Sequence, residues 1–363
     1  MMNDYYNVDE VESAIFNLSL KYPDLCERVP LPHASPEGRV SHALRMSAAA
    51  PGTKDTLVIT AGVHAREWGT CEMLVLFATD LLLAYSRKQG IGYGRKAFSA
   101  QTIQSILKGL EVVIFPLVNP DGRAFSQAND ANKTDGWRKN RNKTWSRGEP
   151  ARIGVDLNRN LDVVWDFQVK FAPNTADTSI NPEDDNFCGP GAFSEAESRN
   201  VRSLLDAFAS TRWLIDVHTG STVVLYNWAV DANQSADSTM NFQNPGWDGK
   251  RGDRFDSIAY GEFAPHPDNV VKSALATKMA RAFSAVRNRA IPIAPAFGLY
   301  PMSGTIIDYA YARQFDVGTR PKIHGFLIEC DDRLHPPWSV TAPIVDEVCA
   351  ALFEFCSNVH GAP

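Results

Sequence analysis

Short apolar runs of strand character alternate with helical patterns along most of the chain. The strand-like runs cover residues 57–63, 111–118, 213–218 and 323–329. Elsewhere, apolar residues recur three and four positions apart, as on the buried face of a helix. These helical patterns are carried by Met73, Leu74, Phe77, Leu81 and Leu82, by Val201, Leu204, Leu205 and Phe208, and by Ile344, Val345, Val348, Cys349, Leu352 and Cys356. The alternation predicts an α/β fold, with a mixed, mostly parallel twisted sheet sandwiched between helices.

Short polar motifs predict where some of these elements begin and end. Residues 119–122, Asn-Pro-Asp-Gly, predict a turn after the second strand, and residues 194–197, Ser-Glu-Ala-Glu, predict a capping box before the second helix. Two long polar stretches, 126–150 and 227–268, interrupt the pattern. Since long loops are usually functional or disordered, we interpret both as walls of an active site. We interpret the Arg-Gly-Asp triplet at 251–253 as a solvated turn.

Composition narrows the class of protein. The chain of 363 residues shows no internal repeat or long linker, so we expect a single domain over residues 1–363. A hydrophobic fraction of 44% provides for a large core. The net charge of -6 leaves no excess of Lys and Arg for binding nucleic acid. No uninterrupted apolar run approaches the roughly 20 residues that span a bilayer, so we expect no membrane segment.

The N-terminus and the cysteines bear on the compartment. The first six residues, Met-Met-Asn-Asp-Tyr-Tyr, have neither the basic nor the apolar region of a secretory signal. We therefore expect a cytoplasmic protein without a pro-segment, or a secreted one if a leader has been removed. The six cysteines are dispersed without a Cys-x-x-Cys pair, which favours buried, reduced thiols over a disulfide framework.

Three of the strand-like runs carry reactive side chains at their carboxyl ends. His64 follows the first run, His218 ends the third and Glu329 ends the fourth. Because ligands of α/β sheets bind at the carboxyl ends of strands, we expect these side chains at one edge of the sheet. Glu67 lies three residues after His64, an offset that can bring both side chains onto one face of a turn.

His64, Glu67 and His218 together form a candidate zinc site. Imidazole and carboxylate groups are good zinc ligands, and three protein ligands leave a fourth position open to water, as in catalytic sites. Zinc would acidify that water and polarise a substrate carbonyl. A carboxylate at the end of a buried strand is costly unless it is paired or used, so Glu329 is the candidate proton shuttle. The alternative for Glu329 is a structural salt bridge.

The order and spacing of these motifs resemble those of the zinc metallocarboxypeptidases of the carboxypeptidase A type. The resemblance runs from about Tyr5 to the last helix and implies one zinc ion per chain and a peptide substrate with a free C-terminus. Its main motifs are His64-Ala65-Arg66-Glu67, Asp156-Leu157-Asn158-Arg159-Asn160, His218 and Glu329.

The resemblance implies roles for further residues. Asn158 and Arg159 would clasp the C-terminal carboxylate of the substrate, a task that suits the planar fork of a guanidinium group. Arg138 would stabilise the oxyanion at the scissile carbonyl. Arg66 would line the outer substrate subsites. Asp156 would orient the ring of the first histidine ligand.

The same resemblance assigns the specificity region. Tyr300 would close over the bound substrate, and Ile307 would form the floor of the specificity pocket, where an apolar side chain favours hydrophobic or aromatic C-terminal residues. Gly220 stands where the family has a tyrosine, so the neighbouring subsite is expected to be open. Lys139 and Arg141 have no counterpart in this scheme, and we expect them to be surface charges.

The sequence thus predicts a zinc-dependent exopeptidase that removes the C-terminal residue from peptides. Two alternatives stay open. The first is a zinc amidase or deacylase that acts on small acylated amino acids or cell-wall peptides. The second is an inactive, peptide-binding relative. The sequence gives no prediction of the oligomeric state.

Overall fold

The computed structural model of the chain describes residues 4–130, 135–254, 260–315 and 320–360. The helices in these ranges are α1 Val8–Lys21, α2 Gly69–Arg87, α3 Ala100–Gly109, α4 Pro120–Asn129, α5 Phe167–Lys170, α6 Ala196–Ala207, α7 His266–Arg287, α8 Ile306–Ala312 and α9 Trp338–Val359. The strands are β1 Cys26–Pro30, β2 His42–Met46, β3 Thr56–Ala61, β4 Ile91–Tyr93, β5 Lys96–Phe98, β6 Glu111–Phe115, β7 Thr211–His218, β8 Ser221–Tyr226, β9 Asn233–Gln234, β10 Glu262–Phe263, β11 Ile293–Pro295 and β12 His324–Asp331.

Eight strands form the central sheet, in the order β1-β2-β6-β3-β7-β12-β8-β11. Strand β3 pairs in parallel with both β6 and β7, β7 pairs in parallel with β12, and β11 pairs in parallel with β8. The other three pairings, β1–β2, β2–β6 and β12–β8, are antiparallel. The prediction of a mixed, mostly parallel sheet is confirmed.

Each face of this sheet is covered by a hydrophobic layer. Successive strand side chains point to opposite faces, so Leu57 and Ile59 of β3 enter one layer and Val58 enters the other. The first layer contains the apolar faces of α1, α2, α3, α7 and α9, and the second contains those of α6 and α8. The sheet is therefore sandwiched between helices, as its alternating pattern predicts.

Helix α2 lies in the first layer. By length and composition alone it could cross a membrane, but 67% of that stretch is buried inside the protein. Its apolar side chains, among them Phe77 and Leu81, are fully buried beside α3 and α9. The packing is that of a core helix, and a single helix of this kind is weak evidence for a membrane span.

The predicted turn at 119–122 is wrong, because a helix starts there. Helix α4 begins at Pro120, and the Asn119 side chain accepts a hydrogen bond from the Gly122 amide (2.9 Å). Proline is favoured at the first helical position, where its missing N–H needs no partner. The same Asn-Pro pair thus suits a helix start as well as a turn.

The predicted capping box at 194–197 is also wrong. Glu195 stands at the N-cap of α6 without a side-chain capping bond. Glu195 and Glu197 instead both accept hydrogen bonds from the Asn140 amide (2.8 and 3.1 Å). Burial, together with the charge of Glu195, raises the pKa of Glu197 to about 8. Hydrogen bonds to the distant Asn140 thus take the place of the local capping bonds.

Two further predictions concern buried side chains. All six cysteines are buried free thiols, as predicted. The interpretation of 251–253 as a solvated turn is wrong, because Arg251 is fully buried. Its Nε donates to the Tyr260 hydroxyl and its Nη2 to the Asn241 carbonyl, both at 3.0 Å. A hydrogen-bonded arginine thus anchors this polar stretch.

Candidate active site

The predicted reactive side chains meet at the carboxyl ends of neighbouring strands. His64 follows the end of β3, and His218 is the last residue of the adjacent β7. Glu329, in β12, lies directly opposite His218 in the parallel pairing of the two strands. After β3 the chain turns at once, with the Glu67 amide donating to the His64 carbonyl (3.2 Å). The prediction that these residues share one edge of the sheet is confirmed.

The ligand atoms of His64, Glu67 and His218 converge on one point. His64 Nδ1 lies 2.7 Å from Glu67 Oε1, and His218 Nδ1 lies 2.9 Å from Glu67 Oε2. The two Nδ1 atoms are 3.1 Å apart. All three side chains are buried, and one ligand atom of each lies within 4.8 Å of the others. The geometry is that of a three-ligand metal site.

The outer nitrogens of both imidazole rings face carboxylates. His64 Nε2 lies 3.2 Å from Asp156 Oδ1, and His218 Nε2 lies 2.7 Å from Asp216 Oδ2. A carboxylate on Nε2 holds the proton there, so the Nδ1 lone pair is directed at the central point. Two imidazole lone pairs and the Glu67 carboxylate facing one another form a donor set that fits a zinc ion.

The charged groups at this centre shift one another's pKa values. Burial alone would raise the pKa of Glu67, but His64 and His218 outweigh burial and hold it far below its usual value. Burial would also lower the pKa of His218, but Asp216 and Glu67 raise it well above its usual value. Glu67 is therefore held as a carboxylate anion between the two imidazole rings.

Asp216 was not predicted from the sequence, although a signal for it exists. It lies two residues before His218, and residues two apart on a strand point to the same face. A second bond fixes its carboxylate, since the Thr60 hydroxyl donates to Asp216 Oδ1 (2.6 Å). Asp216 thus holds the ring of His218 from behind.

Asp156 joins the metal centre to Arg138. Its Oδ1 faces His64, and its Oδ2 accepts from Arg138 Nε (2.9 Å) and Nη2 (2.8 Å). Burial would raise the pKa of Asp156, but Arg138 and His64 hold it well below its ordinary value. One fully buried carboxylate therefore sets the positions of both a predicted ligand and a predicted oxyanion-binding group.

The segment that carries Arg138 is fixed on both sides. The Ala65 amide donates to the Arg138 carbonyl (3.0 Å), and Asn140 exchanges two bonds with Val155 (3.1 and 2.9 Å). These bonds tie the segment to the neighbours of His64 and of Asp156 respectively.

The neighbours of Arg138 are not surface charges, contrary to the prediction. The Nζ of Lys139 donates to the Pro182 carbonyl (2.6 Å), and only 2% of Lys139 is exposed. The Arg141 guanidinium lies 3.7 Å from the centre of the Phe125 ring. Both cations are therefore buried and help to hold this segment in place.

A cavity of about 380 Å³ opens onto the metal centre. All the substrate-binding residues predicted from the sequence line it, apart from Ile307, while Asp156 lies behind Arg138 and His64. The lining residues are His64, Arg66, Glu67, Arg138, Asn158, Arg159, His218, Thr219, Gly220, Ser221, Leu299, Tyr300, Met302, Leu327, Glu329, Asp332 and Leu334.

Ile307 is not among the residues that line this cavity. It is 1% exposed and belongs to the hydrophobic layer between α8 and the sheet. Helix α8 packs against β12 so closely that a Cβ on Gly325 would lie 2.4 Å from the Ile307 carbonyl oxygen. The apolar lining of the cavity comes from Leu299, Met302, Leu327 and Leu334.

Asn158 and Arg159 lie side by side in the cavity wall. The Asn158 Oδ1 accepts from the Ile306 amide (2.8 Å), so the position of its amide group is fixed. Arg159 Nη1 donates to the Asn158 carbonyl (2.9 Å). Two donor side chains are thus held together in the wall of the cavity.

Glu329 lies beside the candidate metal centre, and one of its carboxylate oxygens has no hydrogen-bond partner among the described residues. This oxygen, Oε2, is buried. Burial raises the pKa of Glu329 to about 8; the charges of His218 and Arg138 lower it, and that of Glu67 raises it. No salt bridge ties Glu329 down among the described residues, which argues against the structural role.

Gly220 adopts a backbone conformation that suits glycine. Its φ is +125°, and a Cβ there would point at Leu334 Cδ2 (3.7 Å) and Glu329 Oε2 (3.9 Å). A larger side chain at this position would narrow the space next to Glu329. The expected open subsite is consistent with this geometry.

The two long polar stretches differ in their relation to the cavity. The stretch 126–150 contributes Arg138, as interpreted. None of the described residues of 227–268 lines the cavity, so that interpretation is wrong. Instead, the Trp228 and Ala229 carbonyls accept from the Phe297 and Met302 amides (2.9 and 3.0 Å), and thereby support the Tyr300 segment from outside.

The fold is α/β, and the buried set of His64, Glu67 and His218 is a candidate metal site at the carboxyl ends of its strands. The zinc carboxypeptidase family matches residues 11–342, and the chain belongs to that family. It is 31% identical to mouse carboxypeptidase A2 over 61% of this chain and 46% of that protein. It is also 25% identical to the inactive metallocarboxypeptidase ECM14 of Saccharomyces cerevisiae, over 98% of this chain and 71% of that protein.

The solved structures agree on the fold. Bovine thrombin-activatable fibrinolysis inhibitor, in complex with tick carboxypeptidase inhibitor, superposes with a TM-score of 0.69 over 98% of both chains, at 21% identity. At this identity the likeness shows the fold alone. The chain spans about half the length of the first curated relatives that it matches.

Proposed function

We propose that this protein is a zinc-dependent carboxypeptidase that hydrolyses the C-terminal peptide bond of peptides. One observation carries the proposal. A single cavity joins the donor set of His64, Glu67 and His218, the unpaired carboxyl group of Glu329, and the adjacent donors of Asn158 and Arg159. The first two features suit hydrolysis, and the third suits a substrate that ends in a free carboxylate.

His64, Glu67 and His218 would hold one zinc ion through their converging Nδ1 and carboxylate atoms. Bound zinc acidifies water and polarises a carbonyl group. Glu329 takes a proton from the attacking water and returns it to the departing amine. A carboxyl group with a pKa near neutrality suits both transfers, and its unpaired Oε2 is available to make them.

Arg138 stabilises the negative charge that develops on the scissile carbonyl oxygen. Burial lowers the pKa of Arg138, but Asp156 outweighs burial and raises it above the ordinary value, so the group stays cationic. Because Asp156 already holds two of its nitrogens, Arg138 needs little reorganisation during the reaction. A fixed donor of this kind typically lowers the barrier by about 3–4 kcal/mol.

Asn158 and Arg159 anchor the terminal carboxylate, and Tyr300 closes over it. An anchor at this end of the cavity places the last peptide bond, and no other, over the metal centre. The substrate would therefore lose one residue at a time, and the same anchor would reject chains without a free terminal carboxylate.

We further propose a preference for hydrophobic or aromatic C-terminal residues. The preference is supported by Leu299, Met302 and Leu327, whose apolar side chains line the cavity. The lining residue Asp332 accepts from Thr222 and also borders a second cavity together with Arg66 and Leu334, so it lies towards the outside. It is therefore not placed to pair with a basic C-terminal side chain.

A peptide library with varied C-terminal residues tests this proposal. The zinc-loaded protein is expected to release single C-terminal residues, with Phe, Leu and similar residues released at least about tenfold faster than Lys or Arg, since burying an unpaired charge costs more than burying an apolar group. Mass spectrometry of the products, with and without a chelator, gives the measurement. Fastest release of Lys and Arg would contradict the preference, and internal cleavage would contradict the exopeptidase assignment.

The inactive alternative has less support. A relative named as inactive is similar to this chain over 98% of the length of this chain. However, Glu329 and Arg138 are both present here and both line the cavity. Stoichiometric zinc binding without hydrolysis of any peptide in the library would favour the inactive alternative.

A further inference from the structure

Asp177 connects two parts of the cavity wall that are far apart in sequence. Its Oδ2 accepts a hydrogen bond from Arg159 Nη2 (3.0 Å), and its backbone carbonyl accepts one from Arg159 Nε (2.7 Å). Its backbone amide donates to the carbonyl of Pro301, the residue after Tyr300 (2.8 Å). We propose that Asp177 is a positioning residue that directs the Arg159 guanidinium and ties it to the Tyr300 segment. This inference rests on the proposed function.

The hydrogen bonds of Arg159 leave it little freedom to rotate. A guanidinium group has five N–H donors. Two of them, on Nε and Nη2, are bound along one edge by Asp177, and a third, on Nη1, is bound by the Asn158 carbonyl. By count, the two that remain lie one on each terminal nitrogen, so each terminal nitrogen keeps one donor for a substrate carboxylate. Asp177 therefore determines which edge of Arg159 is offered to the substrate.

Asp177 is itself held in position. The Asn186 side-chain amide donates to its Oδ1 (3.1 Å), so each carboxylate oxygen serves one donor. The next residue, Thr178, accepts from the Ser303 hydroxyl (3.0 Å). Two consecutive residues thus bind the chain on the far side of Tyr300, and Arg159 cannot shift without disturbing that segment.

Direct backbone contact reinforces the connection. A Cβ on Gly304 would lie 2.4 Å from the Arg159 carbonyl oxygen, so the backbone at Gly304 contacts the backbone at Arg159 without an intervening side chain. The Asp177 side chain is 46% exposed, and its share in core packing is therefore small. Its loss should alter the position of Arg159 more than the stability of the fold.

A competing role for Asp177 predicts the opposite result. If its carboxylate merely occupied Arg159, the substrate carboxylate would have to displace it, and removal of Asp177 would lower KM. If Asp177 positions Arg159, removal raises KM. The sign of the change in KM therefore separates the two roles.

The test uses the zinc-loaded full chain and a blocked dipeptide with a free C-terminal leucine. For Asp177→Ala we expect KM to rise about tenfold to a hundredfold, the range of one or two charge-assisted hydrogen bonds, with kcat within about threefold of the wild type. Asp177→Asn should show an intermediate rise, because one amide oxygen cannot serve both Arg159 and Asn186. Asp166→Ala, which removes an exposed carboxylate from the same region of the chain, should leave KM unchanged.

The possible outcomes are distinct. An unchanged or lower KM in Asp177→Ala would overturn the positioning role. A fall in kcat as large as the rise in KM, together with a lower melting temperature, would overturn it as well. If the alanine variant does not fold, the nearly isosteric Asp177→Asn carries the test. Failure of the proposed function would show in the wild type, which would then release no C-terminal leucine.

Discussion

Replacing Glu329 with glutamine is expected to lower kcat by about 10³-fold or more, because the side chain that transfers the proton is lost. Glutamine has nearly the same shape but cannot accept the proton of the attacking water. The fold should not suffer, since Oε2 of Glu329 makes no hydrogen bond with the described residues and burial disfavours its charge. Zinc content and melting temperature should therefore match those of the wild type.

The matched control is Glu27→Gln, on the exposed face of β1 at the far edge of the sheet. It removes the same charge and should leave kcat unchanged. If Glu329→Gln retained more than a few per cent of wild-type kcat, Glu329 would not be the general base. A parallel fall in zinc content would instead mean that Glu329 supports the metal centre.

Replacing His218 with alanine is expected to abolish both stoichiometric zinc binding and hydrolysis. The variant loses one of three ligands. It also removes the imidazole ring that lies between Asp216 and Glu67 and bonds to both carboxylates. Removing one partner of a buried ion pair typically costs about 3–5 kcal/mol. We therefore expect a lower melting temperature as well.

The measurement is the ratio of zinc to protein after dialysis, together with the rate of peptide hydrolysis. His266→Ala is the control, because His266 is an exposed histidine at the start of α7. It should retain one zinc ion per chain and full activity. Stoichiometric zinc in His218→Ala would show that His218 is not a ligand.

The parts of the account that the sequence predicted correctly have strong local patterns. Strands β3, β7 and β12 are apolar runs bounded by polar residues, and parallel strands place their carboxyl ends at one edge. The sequence alone therefore places His64, His218 and Glu329 at one site. The choice of zinc followed from the chemistry of imidazole and carboxylate ligands.

The errors occur where long-range contacts override local signals. Ser194 and Glu197 have the spacing of a capping box, but Asn140 binds the carboxylates of both Glu195 and Glu197. Arg251 and Lys139 are polar residues in polar surroundings, and their burial depends on partners distant in sequence or in irregular segments. Sequence periodicity contains no information about such partners.

The supporting carboxylates illustrate the same limit. Asp216 could have been predicted, since strand alternation places it on the same face as His218. Asp177 could not, because it lies in a loop and its contacts with Arg159 and Pro301 depend on the folded chain. Ile307 is buried in the layer beneath α8, and its predicted contact with substrate depends on the folded shape of the cavity, which register along the sequence does not give.

We propose above all that Asn158 and Arg159 bind the terminal carboxylate of the substrate next to the candidate metal centre. The most direct test compares one peptide with its C-terminally amidated twin on the zinc-loaded protein. The account predicts release of the C-terminal residue from the free acid, and cleavage of the amide slower by about a hundredfold or more in kcat/KM, since the charge-assisted hydrogen bonds to the carboxylate are lost. Equal cleavage of the two peptides would contradict the claim and favour an amidase that does not recognise a free carboxylate.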